Sequence, residues 1–223
     1  MGAKVSGAGT ATITIQGVEK LHGTTHDVMA DRIEAGTYAM VVAAAGGDVT
    51  LTNAPVAALS AVNHALRNAG IIVDADKDAR TLRIQRNGSK LNAVNIDTAP
   101  HPGFPTDMQA QFMALMSLAD GTSIIRENIF ENRFMHAPEL SRLGANISVR
   151  GHEAIVKGVD ALKGAPVMAT DLRASVSLVI AALAAQGETE VSRIYHLDRG
   201  FERLEQKLTA VGADVRRVSA EEE

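Results

Sequence analysis

One device occurs three times along this sequence. Asp31 leads the run Arg32–Ala45, Asp107 leads Met108–Met116, and Asp171 leads Leu172–Ala185; each run is rich in Ala, Met, Leu and Val and closes on a glycine, Gly46, Gly121 or Gly187. An acidic residue at the head of an apolar helix can cap the free N–H groups of its first turn and complement the helix dipole. Glycine just past the last turn is the matching stop signal. Repetition at this scale points to stacked copies of one supersecondary unit sharing a core. A second mark recurs with it: Gly2-Ala3, Ala69-Gly70, Gly144-Ala145 and Gly212-Ala213 each read as a helix end running into a β-like stretch.

Between these marks the periodicity supplies the other elements. Residues 4–17 read as two short strands, with Thr12-Ile13-Thr14-Ile15 alternating polar and apolar. After the Asp31 helix come a strand at Val49–Thr52, a helix over Val56–Asn68, a strand pair at Ile71–Val73 and Thr81–Ile84, and a strand over Asn92–Thr98. Ala99–Pro105 holds three prolines and is irregular. The second cycle has the Asp107 helix, a strand at Ser123–Ile129, a polar loop at 130–136, a short helix from Pro138, and strands at Ile147–Val149, Ala154–Val156 and Pro166–Ala169. The third has the Asp171 helix, a strand at Glu190–Tyr195, a loop at 196–200 with Asp198 as a cap, a helix at Phe201–Val211 and a strand at Asp214–Val218. The first copy carries an extra strand pair in front and the third lacks its closing strands, so both ends read as cut from a longer chain. Residues 4–17 are a candidate to fill the third copy by pairing with 213–218.

Composition narrows the possibilities. The 223 residues are 46% hydrophobic but only 3% aromatic, so the core is aliphatic. No stretch approaches the roughly 18 apolar residues of a membrane span, so no membrane insertion is expected. Nothing at the start resembles a signal peptide, and a cytoplasmic location is expected. The absence of cysteine removes disulfides, thiolate metal sites and thiol nucleophiles. A net charge of -4 disfavours general nucleic-acid binding. The seven histidines show no zinc-site spacing, and neither Gly7-Ala8-Gly9 nor Gly46-Gly47 makes a nucleotide fingerprint. Ser175 and Ser177 lie in a helix with no neighbouring histidine, so a hydrolase triad has no support.

Four groups remain as candidates for chemistry. Asp107, after a proline-rich loop at a helix mouth, is placed either to cap or to act as a general base. Asp171 and Arg173 stand two apart in a first turn, either as a structural ion pair or, since side chains two apart on a helix do not face each other, with the Arg173 fork presented to a carboxylate or phosphate. Phe130–His136 sets four polar residues among three apolar ones in a loop after a strand, and Arg199 sits in the equivalent loop of the third cycle.

Those residues carry a resemblance. Residues 99–111 (Ala-Pro-His-Pro-Gly-Phe-Pro-Thr-Asp-Met-Gln-Ala-Gln), 129–136 (Ile-Phe-Glu-Asn-Arg-Phe-Met-His), 169–175 (Ala-Thr-Asp-Leu-Arg-Ala-Ser) and 194–200 (Ile-Tyr-His-Leu-Asp-Arg-Gly) resemble motifs of the bacterial enolpyruvyl transferases acting on UDP-N-acetylglucosamine. Met29–Glu34 resembles a fifth, with Ala30 where proline is commoner. The resemblance implies an α/β fold of three pseudo-threefold βαβαββ units, the inside-out α/β barrel domain, in a protein of two such domains with the active site between them. It implies residues 1–28 as the tail of the other domain plus crossover strands, 29–218 as the three-unit domain, and 219–223 as a polar tail. It implies transfer of enolpyruvyl from phosphoenolpyruvate to the 3′-hydroxyl of UDP-N-acetylglucosamine, in peptidoglycan precursor synthesis, without a cofactor or metal. Carried over residue by residue, Asp107 accepts the hydroxyl proton and binds the sugar, the Ile129 backbone holds the nucleotide sugar, and Arg133 lies close by. Arg173 and Arg199 meet the phosphoenolpyruvate carboxylate and phosphate, with Asp171 beside them.

The family's lysine, asparagine and mobile loop with cysteine or aspartate have no counterpart here, so the chain alone is expected to be inactive and to need the missing N-terminal domain. The competing reading is a catalytically silent, repeat-built binding or scaffold domain in which the three aspartates are only caps.

Overall fold

The computed structural model describes residues 1–218; the expected polar tail lies outside the described residues. The chain opens with a hairpin, β1 (Lys4–Ser6) paired antiparallel with β2 (Thr14–Gln16). The first unit comes next: α1 (Arg32–Ala45), β3 (Gly47–Leu51), α2 (Ser60–Asn68) behind a 3-10 turn, β4 (Ile72–Asp76), β5 (Thr81–Arg86) and β6 (Leu91–Asn92). The second is β7 (Ile96–Asp97), α3 (Gln109–Met116), β8 (Ala119–Asp120), β9 (Thr122–Arg126), α4 (Ala137–Arg142), β10 (Asn146–Arg150) and β11 (Glu153–Lys157). The third is β12 (Val167–Met168), α5 (Ser175–Ala184), β13 (Val191–Ser192), α6 (Tyr195–Asp198) and α7 (Leu204–Ala210).

The copies superimpose in topology. Strands β3-β5-β4 form one antiparallel sheet, and β9-β11-β10 repeat that order with β7 added parallel to β9. The second unit therefore holds the full βαβαββ sequence, and β12 with β13 repeats its parallel pair. Helices α1, α3 and α5 pack on one another at the centre, with the sheets outside. Every residue of α3 is buried, Gln109 and Gln111 included, so the helix faces protein on all sides. The described strands fall into several small sheets around these helices.

The three central helices run in the same direction. Gly36 and Thr37 of α1 meet Met108 and Gln111 at the start of α3, so these first turns lie side by side. At the other end Ala44, Leu118 and Ala184 line one cavity of about 350 Å³. The helix tails thus converge on one side of the molecule, and the heads carrying Asp31, Asp107 and Asp171 face the other.

Several expected elements differ. The strand over Asn92–Thr98 is two pieces, because Val94 N–H turns to Ser123 Oγ (3.1 Å) and Asn95 Oδ1 takes Ile124 N–H (2.7 Å), side chains replacing ladder partners. The strand from Ser123 stops at Arg126, three residues early. Residues 195–198 form a helical turn rather than a loop, and α7 starts at Leu204 behind Arg203, which is left-handed at φ 50°. Asp198 is not its cap; it grips Arg217 at 2.6 Å. Asp214–Val218 makes no strand; side-chain contacts such as Thr209 Oγ1 to the Val215 carbonyl hold it instead. Among the described residues the hairpin strands pair only with each other, and residues 4–17 make no strand pairing with 213–218.

Close backbone approach at the unit junctions yields a stability test. Gly158 donates to the Gly121 carbonyl at 3.0 Å, and a Cβ at Gly158 would overlap the Ala119 carbonyl. Gly158→Ala is expected to cost about 1–3 kcal/mol in denaturant unfolding, as overpacking does. Gly23→Ala, where a Cβ meets nothing, should stay within about 0.5 kcal/mol.

Candidate functional site

The three helix heads carry aspartates with three different partners. Asp31 caps α1, taking the N–H groups of Ile33 (2.7 Å) and Glu34 (3.3 Å). Asp171 takes the N–H groups of Arg173 (2.8 Å) and Ala174 (2.7 Å) in the turn before α5, which begins at Ser175 rather than Leu172. Asp107 caps nothing. It sits within a 3-10 turn over Thr106–Met108, and its Oδ1 accepts from Arg133 Nη2 at 2.6 Å. The expectation of a cap at this helix fails because the 3-10 turn and Pro105 start the helix without a side-chain acceptor.

Arg133 is held on three sides. Nη1 donates to Thr106 Oγ1 at 2.7 Å, Nη2 to Asp107, and the guanidinium lies 4.6 Å from the Phe130 ring centroid, within cation–π range. The pair is partly open, with side-chain exposures of 24% for Arg133 and 38% for Asp107. The Asp107 Oδ2 takes no protein hydrogen bond among the described residues. A carboxylate with one oxygen anchored and the other presented is suited to accept a proton from a bound hydroxyl.

Glu127 was not among the expected site residues. It is 1% exposed. Its Oε1 accepts from Thr98 Oγ1 (3.0 Å), Ile129 N–H (2.9 Å) and Phe130 N–H (3.1 Å), and its Oε2 from Thr106 Oγ1 (2.9 Å). These bonds end β9 and turn the chain into the polar loop. Ile129 is half-exposed, and its carbonyl accepts no hydrogen bond among the described residues. The signal was present in the sequence: Ser123, Ile125 and Glu127 alternate onto one strand face, and all three are buried, so a charged residue stands on the core side.

The other predicted residues lie along a second stretch. His136 is 1% exposed with neither ring nitrogen hydrogen-bonded. Burial pulls its pKa from 6.5 to about 4, with Asp171 opposing and Arg133 reinforcing the shift, so it stands within electrostatic reach of both. Arg173 makes no ion pair with Asp171; its Nη1 is buried without a protein partner, and a side chain at Gly200 would come within 3.5 Å of it. Arg199, next to Gly200, is exposed, and its side chain makes no hydrogen bond among the described residues, while its backbone N–H donates to the Leu197 carbonyl. Asp107, Arg133 and Thr106 are thus in direct contact, whereas Arg173 lies near Gly200, the neighbour of Arg199, with no hydrogen bond joining either arginine to the Asp107 group among the described residues. Among the described residues no cluster of three or more acidic or histidine side chains is placed to hold a metal.

The model of the EPSP synthase (3-phosphoshikimate 1-carboxyvinyltransferase) family matches residues 1–208. The chain belongs to this family. Within it, the chain is 73% identical over its whole length to a UDP-N-acetylglucosamine 1-carboxyvinyltransferase of Hyphomonas neptunium, covering 52% of that protein. It is 65% identical to the one from Caulobacter vibrioides, again over its whole length and 52% of the relative. The chain spans about half the length of the curated relatives it matches. Among solved structures, the enolpyruvyl transferase NikO from Streptomyces tendae matches with TM-score 0.83 at 32% identity, over 96% of this chain and 51% of that one. EPSP synthase from Acinetobacter baumannii shares the fold, with TM-score 0.64 at 20% identity over 86% of this chain and 44% of that one. The chain shares the mixed α/β fold of these enolpyruvyl transferase neighbours.

The buried imidazole sets a pH dependence. A folded-state pKa near 4 against 6.5 unfolded means the unfolded chain binds the extra proton between those values. Stability is therefore full above about pH 6.5 and falls as pH drops toward 4, by up to roughly 3 kcal/mol. His136→Leu should flatten this part of the profile when denaturant midpoints of variant and wild type are compared from pH 7 to 4.

Proposed function

We propose that this chain is the C-terminal half of a transferase that moves enolpyruvyl from phosphoenolpyruvate to the 3′-hydroxyl of UDP-N-acetylglucosamine. The reaction belongs to cytoplasmic peptidoglycan precursor synthesis, and through it to cell shape and division. The observation that carries this reading is the Asp107–Arg133 pair: the one helix-head aspartate without a capping duty is held at 2.6 Å by the loop arginine. Relatives at 65–73% identity bear the corresponding name.

In this reading the hydroxyl oxygen bonds to C2 of phosphoenolpyruvate while its proton passes to Asp107. A proton adds to the methylene carbon, giving a tetrahedral intermediate. Loss of a methyl proton and departure of phosphate then leave the enol ether. Arg173 and Arg199 bind the carboxylate and phosphate, for which planar forks of donors are suited, with Asp171 fixing the turn that carries Arg173. The Ile129 carbonyl receives a donor from the nucleotide sugar. The acid for the methylene carbon comes from the other half of the protein.

Residues 1–28 belong to that other half and the crossover, and 29–218 form the three-unit domain. Support comes from the hairpin, whose Val5, Ile13 and Ile15 are all exposed and are suited to burial against a further layer. The scaffold reading, in which all three aspartates are caps, loses its premise at Asp107.

Alone, the chain is expected to release no phosphate from the two substrates; turnover that Asp107→Ala abolishes would overturn this. UDP-N-acetylglucosamine is expected to bind weakly and to shift the NMR signals of Asp107, Ile129 and Arg133. Asp107→Asn should remove those shifts and Arg199→Ala should leave them. Shifts confined to other surfaces would overturn the assignment of the site.

A further inference from the structure

The positions of Asp107 and Ile129 share one support. We infer that Glu127 is a positioning residue for the reaction: a buried carboxylate that fixes Arg133, and through it Asp107, by way of the Thr106 hydroxyl, while fixing the Ile129 backbone directly. Its catalytic consequence rests on the transferase reading; the mechanical link does not.

A buried carboxylate is costly unless its lone pairs are used. Glu127 uses them on two hydroxyls and two backbone N–H groups. The Thr98 hydroxyl it engages also accepts Asn128 N–H at 2.9 Å. The Thr106 hydroxyl has a single proton. Because that proton goes to Glu127 Oε2, the oxygen lone pairs face Arg133 Nη1. The carboxylate thereby sets the polarity of Thr106 so that it accepts from the guanidinium instead of opposing it. Arg133 then has both η nitrogens held, one by Thr106 and one by Asp107, and the ring of Phe130, whose own N–H is on Glu127, lies against its face. One side chain therefore links the proposed base to the proposed sugar-holding carbonyl.

Two substitutions break the link without emptying the site. In Glu127→Gln, Oε1 can keep Thr98, Ile129 and Phe130, but the new amide N–H₂ donates to Thr106 and turns its proton away. In Thr106→Val the hydroxyl is removed and the shape kept. The readout is rotation about the Arg133 Nε–Cζ bond, seen as exchange between its two η-nitrogen NMR signals in this chain. The wild type is expected to show separate, slowly exchanging signals. Each variant should speed exchange at least about tenfold, the factor equivalent to roughly 1.4 kcal/mol. The double variant should add little beyond either single one, because the bonds act in series.

Exchange unchanged within about twofold in either folded variant, or effects that add fully, would overturn the inference. Should Glu127→Gln fail to fold, Thr106→Val decides alone. Adding UDP-N-acetylglucosamine to the wild type separates the two readings. Slow exchange without any ligand-induced shift supports the link and counts against the transferase site.

Discussion

Helix α3 has no side left for water, and that constraint organises the molecule. All eight of its residues are buried, so it must be surrounded by α1, α5 and its own sheet. Its neighbours face the same demand: α1 buries nine residues and α5 seven. Three helices of this kind satisfy one another only by packing side by side, which places their heads at one end and their tails around a common cavity. A contact such as Gly36 against Met108 and Leu59 shows how close the approach is. The rigidity needed to hold a polar site at sub-ångström tolerance therefore lies in an aliphatic centre that carries almost no charge of its own.

Where the sequence was legible, a physical rule acted locally. Asp31 with Gly46 marks α1 because the cap and the stop are properties of adjacent backbone groups, and α1 spans Arg32–Ala45 as expected. The paired strands around residues 72–86 reflect period-two alternation. The failures share a cause as well. At Asn95, Glu127 and Asp198 a polar side chain bonds to a group distant in sequence or to a turn it creates. Such a side chain ends a strand, splits one, or abandons a helix head. No window of local pattern contains the partner. Asp214–Val218 carries two valines, yet it pairs with no strand among the described residues, and β-formers without a partner do not make a sheet.

The candidate site was legible in its residue types and not in its connections. Asp107 and Arg133 stand out as a carboxylate and a fork in irregular segments; that they touch depends on the turn Glu127 makes. Conversely Arg173 and Asp171 stand together in sequence and do not pair, since Asp171 commits its carboxylate to backbone N–H groups. Unpartnered buried polar atoms include those of Thr170, Arg173, His136 and His196, beside others at Tyr38, Asn63, Gln109, Gln111 and Thr189. Desolvated donors without protein partners are a liability in a purely structural core. In the proposed transferase reading, such donors are available to the anionic groups of the substrate.

A repeat protein begins with equivalent positions, and chemistry requires that they stop being equivalent. The three aspartates show how that happens. At Asp31 the carboxylate is committed to helix α1, a contribution of about 1 kcal/mol for such caps. At Asp171 it stabilises a turn that delivers Arg173. At Asp107 the 3-10 turn behind Pro105 leaves the carboxylate without structural duty, and Arg133 keeps it from collapsing onto the backbone. Releasing one copy from its structural role while two neighbours retain theirs costs the fold little. It yields a charged group whose position is set by long-range contacts and not by its own helix. On the proposed reading, function resides in the copy whose aspartate bonds to a side chain instead of backbone N–H groups, while the carboxylates of the other two copies still serve the backbone.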